Sequence, residues 1–179
     1  ELIYSSQNAM AYFPENVLDK TVLSVSHNDW FGDFSVIGVG LTGPILGGQG
    51  LLRVKHGGFD NIELRGETPT DNPISYYSAF GTTISGGFIS DFKGLKVSSL
   101  FDVSQFRIHT YSTSGFSGSL SLLKPLYKNW EIGLGLSHFG YMNAFTLEKP
   151  SLPFSSNIII TKKSRFKDIK NKFYFSGGI

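Results

Sequence analysis

Four long stretches of the sequence carry no charged residue, and glycine recurs within them. They span residues 34–52, 72–90, 108–123 and 132–147. The first two are long enough to cross a bilayer as helices, but residues 34–52 include six glycines and Pro44. Each Gly costs a helix about 1 kcal/mol and each Pro about 3 kcal/mol relative to Ala. We therefore reject transmembrane helices as the interpretation of these stretches.

Alternation of apolar and polar residues with a period of two predicts β-strands instead. Leu134 and Leu136 share one face of a strand, for example, and Gly135 and Ser137 share the other. Gly, Ser and Thr fill this second face along much of the chain. The charged residues that also belong to it are Arg53, Lys55, Lys96 and Asp102. The eight predicted strands span residues 20–28, 34–42, 49–56, 76–89, 95–109, 116–124, 131–140 and 172–179.

The low charge and the long strands predict that this sheet lies in a membrane. Only 17% of the residues are charged, against about 25% in a typical soluble domain. Several predicted strands exceed the usual globular length of about five or six residues and reach the roughly 9–11 that an oblique crossing needs. We therefore predict an all-β fold, an antiparallel transmembrane β-barrel. A soluble β-sandwich or barrel explains the alternation equally well and stays open as the alternative.

The connections between the predicted strands differ in length. Residues 43–48, 90–94 and 125–130 form short connections, whereas residues 57–75 and 141–171 form long ones. Outer-membrane barrels have short periplasmic turns and longer outer loops. The pattern predicts a chain that enters from the periplasm, with its two long connections on the outside. Aromatic residues gather near the strand ends, which is typical of the girdles at membrane interfaces.

No group of residues predicts an enzyme, a cofactor or a metal site. Gly38, Gly40 and Gly43 have the spacing of a dinucleotide-binding fingerprint, but Pro44 and the glycines after it cannot open the required helix. The chain has no Cys, which excludes disulfides and thiolate metal sites. The histidines, which a metal site must bring together, are scattered over four predicted strands: His27, His56, His109 and His138.

Nucleic acid is not an expected partner. The net charge is only +2, and the basic run at residues 162–172 is interleaved with a single aromatic residue, Phe166. Within the predicted loop 141–171, this run suits contact with lipopolysaccharide phosphates or an acidic partner. A solvated outer loop without a partner is the alternative interpretation.

The beginning of the chain resembles a known family. Residues 6–18 combine small residues, two aromatics and Pro14, and residues 26–33 read Ser-His-Asn-Asp-Trp-Phe-Gly-Asp. A Gly-rich strand, Gly57-Gly58-Phe59 and residues 78–81 (Ser-Ala-Phe-Gly) follow in the same order. Over about residues 5–140 the chain resembles the PorV/PorQ group of outer-membrane proteins, within the superfamily of FadL-like barrels. It keeps the Pro of the family's Asn-Pro-Ala-Gly-Leu pattern but not the Asn, Ala and Gly.

The resemblance implies a domain organisation. The family barrel has roughly fourteen strands, so about eight strands make up half of one, and the chain ends as if a strand were interrupted. Residues 19–179 are then the strands and loops of a barrel domain, which we expect to be incomplete. Residues 1–18 are expected to form an N-terminal plug at the periplasmic entry, anchored in the lumen by Tyr12, Phe13 and Pro14.

The resemblance also implies a function. PorV-like proteins are non-enzymatic accessory components of the type IX secretion system that receive secreted cargo, and FadL-like proteins instead transport hydrophobic small molecules. We expect the first role and keep the second as the alternative. The expected location is the bacterial outer membrane, and the expected partners are its lipid, lipopolysaccharide, and other secretion-system proteins or cargo. In the second long loop, the predicted partner contacts are Leu147, Leu152, Pro153 and Phe154.

Overall fold

The chain folds into a single antiparallel sheet. The computed structural model describes residues 19–30, 32–66, 71–127, 130–144, 151–166 and 169–178. No helix in these ranges combines the length and the apolarity that crossing a membrane requires. The nine strands are β1 (Val22–Asp29), β2 (Phe34–Ile45), β3 (Gly48–Leu64), β4 (Ser75–Phe92), β5 (Leu95–Ile108), β6 (Tyr111–Pro125), β7 (Trp130–Met142), β8 (Ser155–Phe166) and β9 (Ile169–Gly178).

Each strand pairs with the next one along the chain, so the spatial order is β1 to β9 without a crossover. The all-β, antiparallel prediction is therefore confirmed. The sheet is open in the described part of the chain, where β1 pairs only with β2 and β9 pairs only with β8. The finer prediction, a closed barrel in a membrane, is not shown by this open sheet.

The prediction of one long loop over residues 141–171 is wrong. About half of that segment forms β8 and the start of β9, which makes nine strands where eight were predicted. β8 contains Ile158, Ile159 and Ile160, and such β-branched side chains favour strands. Three consecutive apolar residues break the period of two, however, and Thr161 and two lysines follow them. The alternation used to find the other strands is therefore absent from β8.

The predicted loop over residues 57–75 is also shorter than expected. β3 continues to Leu64 and β4 begins at Ser75. The ladder between these strands changes register once, between Phe59 and Ile62. Asn61 lies in this irregularity with φ of 57°, a left-handed conformation that Asn tolerates better than most residues. A bulge therefore lets the strand pass through a polar sequence that resembles a loop.

Tight turns connect strands at one end of the sheet, which we call the tight-turn edge. It is formed by the ends of the strands and differs from the lateral edges at β1 and β9. Leu46-Gly47 and Lys93-Gly94 are two-residue turns in which both residues have positive φ, as the type I′ hairpin turn requires. The Asp91 carboxylate accepts a hydrogen bond from the Gly94 N–H at 2.8 Å. The β6–β7 and β8–β9 connections lie along the same edge. The opposite edge, which we call the loop edge, carries the two longest connections, at residues 65–74 and 143–154.

Burial in this sheet is inverted relative to a soluble domain. In the described residues, nine polar side chains are buried, against three apolar ones, Leu100, Met142 and Ile159. Soluble proteins bury mainly apolar residues. Successive residues of a strand point to opposite faces, so the two faces differ in chemistry wherever burial is described, from β1 to the start of β8. One face is apolar and exposed, and the other is polar and sheltered.

Candidate functional site

One face of the sheet, which we call the apolar face, consists of exposed aliphatic and aromatic side chains. Register carries a single row of such residues across seven strands without a polar interruption. In β1 this row begins with Val25, which is 66% exposed, and in β4 it includes Ile84, which is 51% exposed. The complete row is Val25, Val39, Val54, Ile84, Val103, Phe116 and Tyr141. Other exposed members of the face are Leu23, Ile37, Leu41, Leu52, Phe101, Leu120, Leu134, Leu136, Phe139, Ile158 and Ile160.

Exposed aromatic side chains lie near both edges of the sheet. Trp30 and Tyr76 are each 57% exposed at the loop edge, and Tyr127 is 80% exposed at the tight-turn edge, beside Trp130. Aromatic residues therefore lie near both ends of the strands and also among the aliphatic residues between them. Within the apolar face, Phe116 stacks on Phe101 with ring centroids 6.1 Å apart.

The opposite face, which we call the polar face, brings together charged and hydroxyl side chains from neighbouring strands. Arg53, Ser85, Asp102 and Ser117 form one row across β3 to β6. The adjacent row toward the loop edge contains Lys55, Thr83 and Ser104. The charged residues assigned to the second face from the sequence do lie on it. Strand pairing also places Arg53 and Asp102 in the same row, which the sequence alone did not predict.

Hydrogen bonds connect neighbouring members of these rows. The Arg53 guanidinium donates from Nη2 to Ser85 Oγ at 3.3 Å, and the Ser117 hydroxyl donates to Asp102 Oδ2 at 3.4 Å. The hydroxyls of Thr83 and Ser104 share a hydrogen bond of 2.9 Å. Ser85 is almost completely buried, at 1% exposure. The polar face is therefore an ordered network on a sheltered surface.

Two glycines of β2 lie between the serines of β1 and the long cationic side chains of β3. A Cβ at Gly40 would lie 3.9 Å from Arg53 Cγ, and a Cβ at Gly38 would lie 3.8 Å from Lys55 Cγ. Each would also lie 2.8 Å from a serine hydroxyl of β1, which is too close for an ordinary contact. These glycines belong to the dinucleotide-like spacing, but a strand surrounds them instead of the helix that such a site needs. Their absent side chains leave space over β2.

A bulge between β6 and β7 presents a histidine to the same face. The register shifts between Gly118 and Leu120, and His138 there has φ of 58°. Its backbone N–H donates to Ser119 Oγ at 3.3 Å. Nδ1 of His138 is buried and has no hydrogen-bond partner in the described residues. Bulges next to functional sites commonly redirect one side chain, and here that side chain is His138.

The polar face encloses a cavity of about 350 Å³. Its lining residues come from strands β3 to β7. In a flat sheet, β3 and β7 would lie roughly 19 Å apart. Because residues from both strands line the same cavity, the polar face is concave. Residues 151–153 cover part of the opening. The lining residues are Arg53, Lys55, Thr83, Leu100, Asp102, Ser104, Phe106, Ser117, Ser119, Ser137, His138, Met142, Ser151, Leu152 and Pro153, with Gly115 and Phe116.

Three of the four predicted partner-contact residues lie among the described residues. Leu152 and Pro153 line the cavity, whereas Phe154 is 59% exposed at the loop edge. Leu147 lies outside the described residues, as do the predicted plug anchors Tyr12, Phe13 and Pro14. Partner contact by Phe154 stays a prediction. Leu152 lies over the concave polar face.

The basic run at residues 162–172 lies at the tight-turn edge, whereas its predicted place in a long outer loop would put it at the loop edge. Trp130 pairs with Lys162, and the β8–β9 ladder continues to Phe166 opposite Ile169. These residues therefore lie at the tight-turn edge, across the sheet from Phe154. A single outer loop that combines the basic run with the apolar stretch is thus contradicted. β8 was not predicted from the sequence. Because neighbouring strands are antiparallel, this additional strand places the residues that follow it at the opposite end of the sheet.

Neither residue clusters nor known proteins identify a function directly. In the residues that the structure describes, no three His, Cys, Asp or Glu side chains are grouped to hold a metal ion. No protein-family model matches the chain, and no curated protein or solved structure matches it either. The PorV-like resemblance therefore stays a prediction from the sequence.

Proposed function

We propose that this chain forms part of the wall of an outer-membrane β-barrel. The observation that carries the proposal is the unbroken row of exposed apolar residues from Val25 to Tyr141. The row crosses seven strands spaced about 4.8 Å apart, so it runs roughly 29 Å across the sheet, and the other exposed apolar residues named above lie on the same face. Contiguous apolar surfaces of this extent are uncommon on soluble monomers. Lipid chains are the partner that suits a surface of this size, shape and chemistry.

The outer strands β1 and β9 also support the barrel proposal. Unpaired N–H and C=O groups cost several kcal/mol each in hydrocarbon, so an open sheet edge is not stable there. β1 and β9 each lack a second neighbour in the described residues. In the membrane, further strands pair with both and close a barrel larger than nine strands. The polar face then lines the interior of that barrel, as the interior of outer-membrane barrels is polar.

Site-directed spin labelling tests the orientation of the two faces. The chain has no native Cys, so Ile84→Cys and Thr83→Cys each provide one labelling site. They are neighbours in β4 and lie on opposite faces. In lipid vesicles we expect the label at position 84 to be accessible to oxygen, which partitions into lipid, and the label at 83 to a water-soluble nickel complex. Equal accessibility at the two sites, or a reversed preference, would sink the membrane proposal.

Within that barrel, we propose the role of accessory or cargo-binding component of a protein secretion system of the type IX kind. Its support is the resemblance of residues 6–33 to PorV-like proteins, together with the exposed Phe154 at the loop edge. Here the loop edge faces outward. The function needs no reaction chemistry, only a rigid wall and outer loops that contact other proteins.

Photo-crosslinking from two sites tests this role. A photoreactive residue replaces Phe154 at the loop edge or, as the matched control, Phe92 at the tight-turn edge, where Phe92 is 66% exposed. In cells that make the protein, position 154 is expected to form adducts with secreted proteins in transit, and position 92 is not. If secretion proceeds while neither site yields such adducts, or both yield them equally, the accessory role is refuted.

Transport of hydrophobic small molecules is the second candidate. The observation that favours it is the apolar part of the cavity wall, made of Leu100, Phe106, Met142 and Leu152. Hydroxyl and charged groups surround this patch, and a wholly apolar passage is not seen along the described strands. Uptake of a fluorescent long-chain fatty acid into vesicles separates the two roles, because only transport predicts uptake that depends on the protein.

A further inference from the structure

We propose that the cavity on the polar face is a binding site for an oxyanion, a phosphate group held between Arg53 and Lys55. These residues are two positions apart in β3 and point to the same face, so their stems leave the strand about 7 Å apart. Both line the cavity and both are half-buried. A planar guanidinium can bind two phosphate oxygens at once, and an ammonium can bind a third.

The charges around the cavity favour an anion. Two cations face a single carboxylate, Asp102, and the hydroxyl of Ser117 already donates to that carboxylate. The Lys55 ammonium makes no hydrogen bond or ion pair with any residue that the structure describes. A cation that is partly removed from water gains from an acceptor. A bound oxyanion supplies that acceptor and neutralises the excess positive charge.

The remaining lining residues provide further donors. Hydroxyl groups from β4 to β7 surround the two cations, and hydroxyls readily donate to charged oxygens. His138 adds a buried ring nitrogen whose partner is not among the described residues. Its left-handed backbone conformation is of the kind that proteins retain at ligand sites. The hydroxyls are those of Thr83, Ser104, Ser117, Ser119 and Ser137.

The size and cover of the cavity suit a small solute. Its volume of about 350 Å³ lies at the lower end of the roughly 300–1,000 Å³ of ligand sites. Leu152 and Pro153 provide apolar lining on one side. The same phosphate chemistry comes either from a soluble phosphorylated solute or from a lipid headgroup. The site proposal depends only on the polar face and does not require the secretion role.

Titration of the purified chain in detergent micelles tests the site. The probes are inorganic phosphate and lauryl phosphate, each added at constant ionic strength and followed by phosphorus NMR. We expect saturable binding that Arg53→Gln weakens by about tenfold or more, the loss expected for a hydrogen bond to a charged group. Lys55→Gln is expected to weaken binding in the same direction. Asp102→Asn is expected to tighten it, because it removes a like charge from beside the anion.

Arg107→Gln is the matched control, since it removes the same charge outside the cavity, where Arg107 Nε donates to the His109 carbonyl. It is expected to leave the affinity unchanged. Binding of both probes supports a site for free phosphate, and binding of lauryl phosphate alone supports a site for a lipid-borne one. Failure of both probes overturns the proposal, as does weaker binding in Asp102→Asn, which would indicate an internal ion-pair network only. If Arg53→Gln does not fold, Lys55→Gln and Asp102→Asn decide the question.

Discussion

Moving one positive charge from the polar face to the apolar face should destabilise the protein strongly. The double variant Val54→Lys/Lys55→Val leaves composition and net charge unchanged and shifts the ammonium by one residue. Val54 lies six positions beyond Gly48, where β3 begins. That is about 20 Å along the strand and, at a tilt near 40°, about 15 Å across the membrane. In the proposed barrel, an apolar band about 25 Å tall that begins near the tight turns would place the ammonium of the variant near its middle.

The expected cost follows from this depth. A Lys on the lipid face of a barrel costs about 2–4 kcal/mol at the midplane and about 0–1 kcal/mol near an interface. The single variant Lys55→Val measures the loss of the native side chain, and the difference between the double and single variants isolates the moved charge. The swap Lys96→Val/Val97→Lys is the control for depth, because Val97 lies only two positions beyond Leu95, where β5 begins.

Reversible urea unfolding from lipid vesicles measures these free energies. The fluorescence of Trp30 and Trp130 provides the signal, and neither residue is altered by the swaps. The central swap should cost at least about 2 kcal/mol and the swap near the turn at most about 1 kcal/mol. On a water-exposed surface both would change stability by within about 0.5 kcal/mol. A central swap that costs no more than the peripheral one would therefore refute the assignment of the apolar face to lipid.

The same unfolding measurement checks three further changes. Gly140→Ala should lower the free energy of unfolding by about 1–3 kcal/mol, because its Cβ would collide with the β6 backbone, whereas Gly86→Ala, with open space around it, should be neutral or slightly stabilising; similar losses in both would contradict the packing explanation. Ser119→Ala should cost about 1 kcal/mol by removing the acceptor of the His138 N–H, and an unchanged stability would show that this bond does not hold the bulge. Asn61→Gly should be tolerated and Asn61→Val should not, since Asn61 has positive φ; equal tolerance would argue against the β3 bulge.

The strands that could be predicted from the sequence are those in which one face differs chemically from the other. β2, β5 and β7 alternate apolar residues with Gly or Ser, and their predicted and observed positions nearly coincide. β8 was missed because Ile158, Ile159 and Ile160 are apolar in succession and the residues on either side of them are mostly polar or basic. The end of β3 was missed because Asn61 lies in a bulge, where the period of two is interrupted.

The cavity could be predicted only in part. Alternation correctly placed Arg53, Lys55 and Asp102 on one face, but bringing Arg53 and Asp102 into one row requires the register of two hairpins. The β3–β4 register shifts once, between Phe59 and Ile62, and the β4–β5 turn, Lys93-Gly94, lacks the Asn or Asp that usually identifies such a turn in a sequence. The contribution of His138 depends on a register shift that no local pattern indicates. The sequence therefore predicted the face on which these charged residues lie, but not which of them are brought together across the strands.

The uninterrupted neighbour-to-neighbour order of the sheet has a consequence for how such a wall is built and varied. Because every strand bonds to its predecessor, each newly formed hairpin finds its template already in place and must search only a short length of chain. The sheet can therefore form by successive addition of hairpins, which involves contacts between residues close together in the sequence. The same modularity lets a lineage widen or narrow the enclosure by gaining or losing whole hairpins, without reorganising the strands that remain.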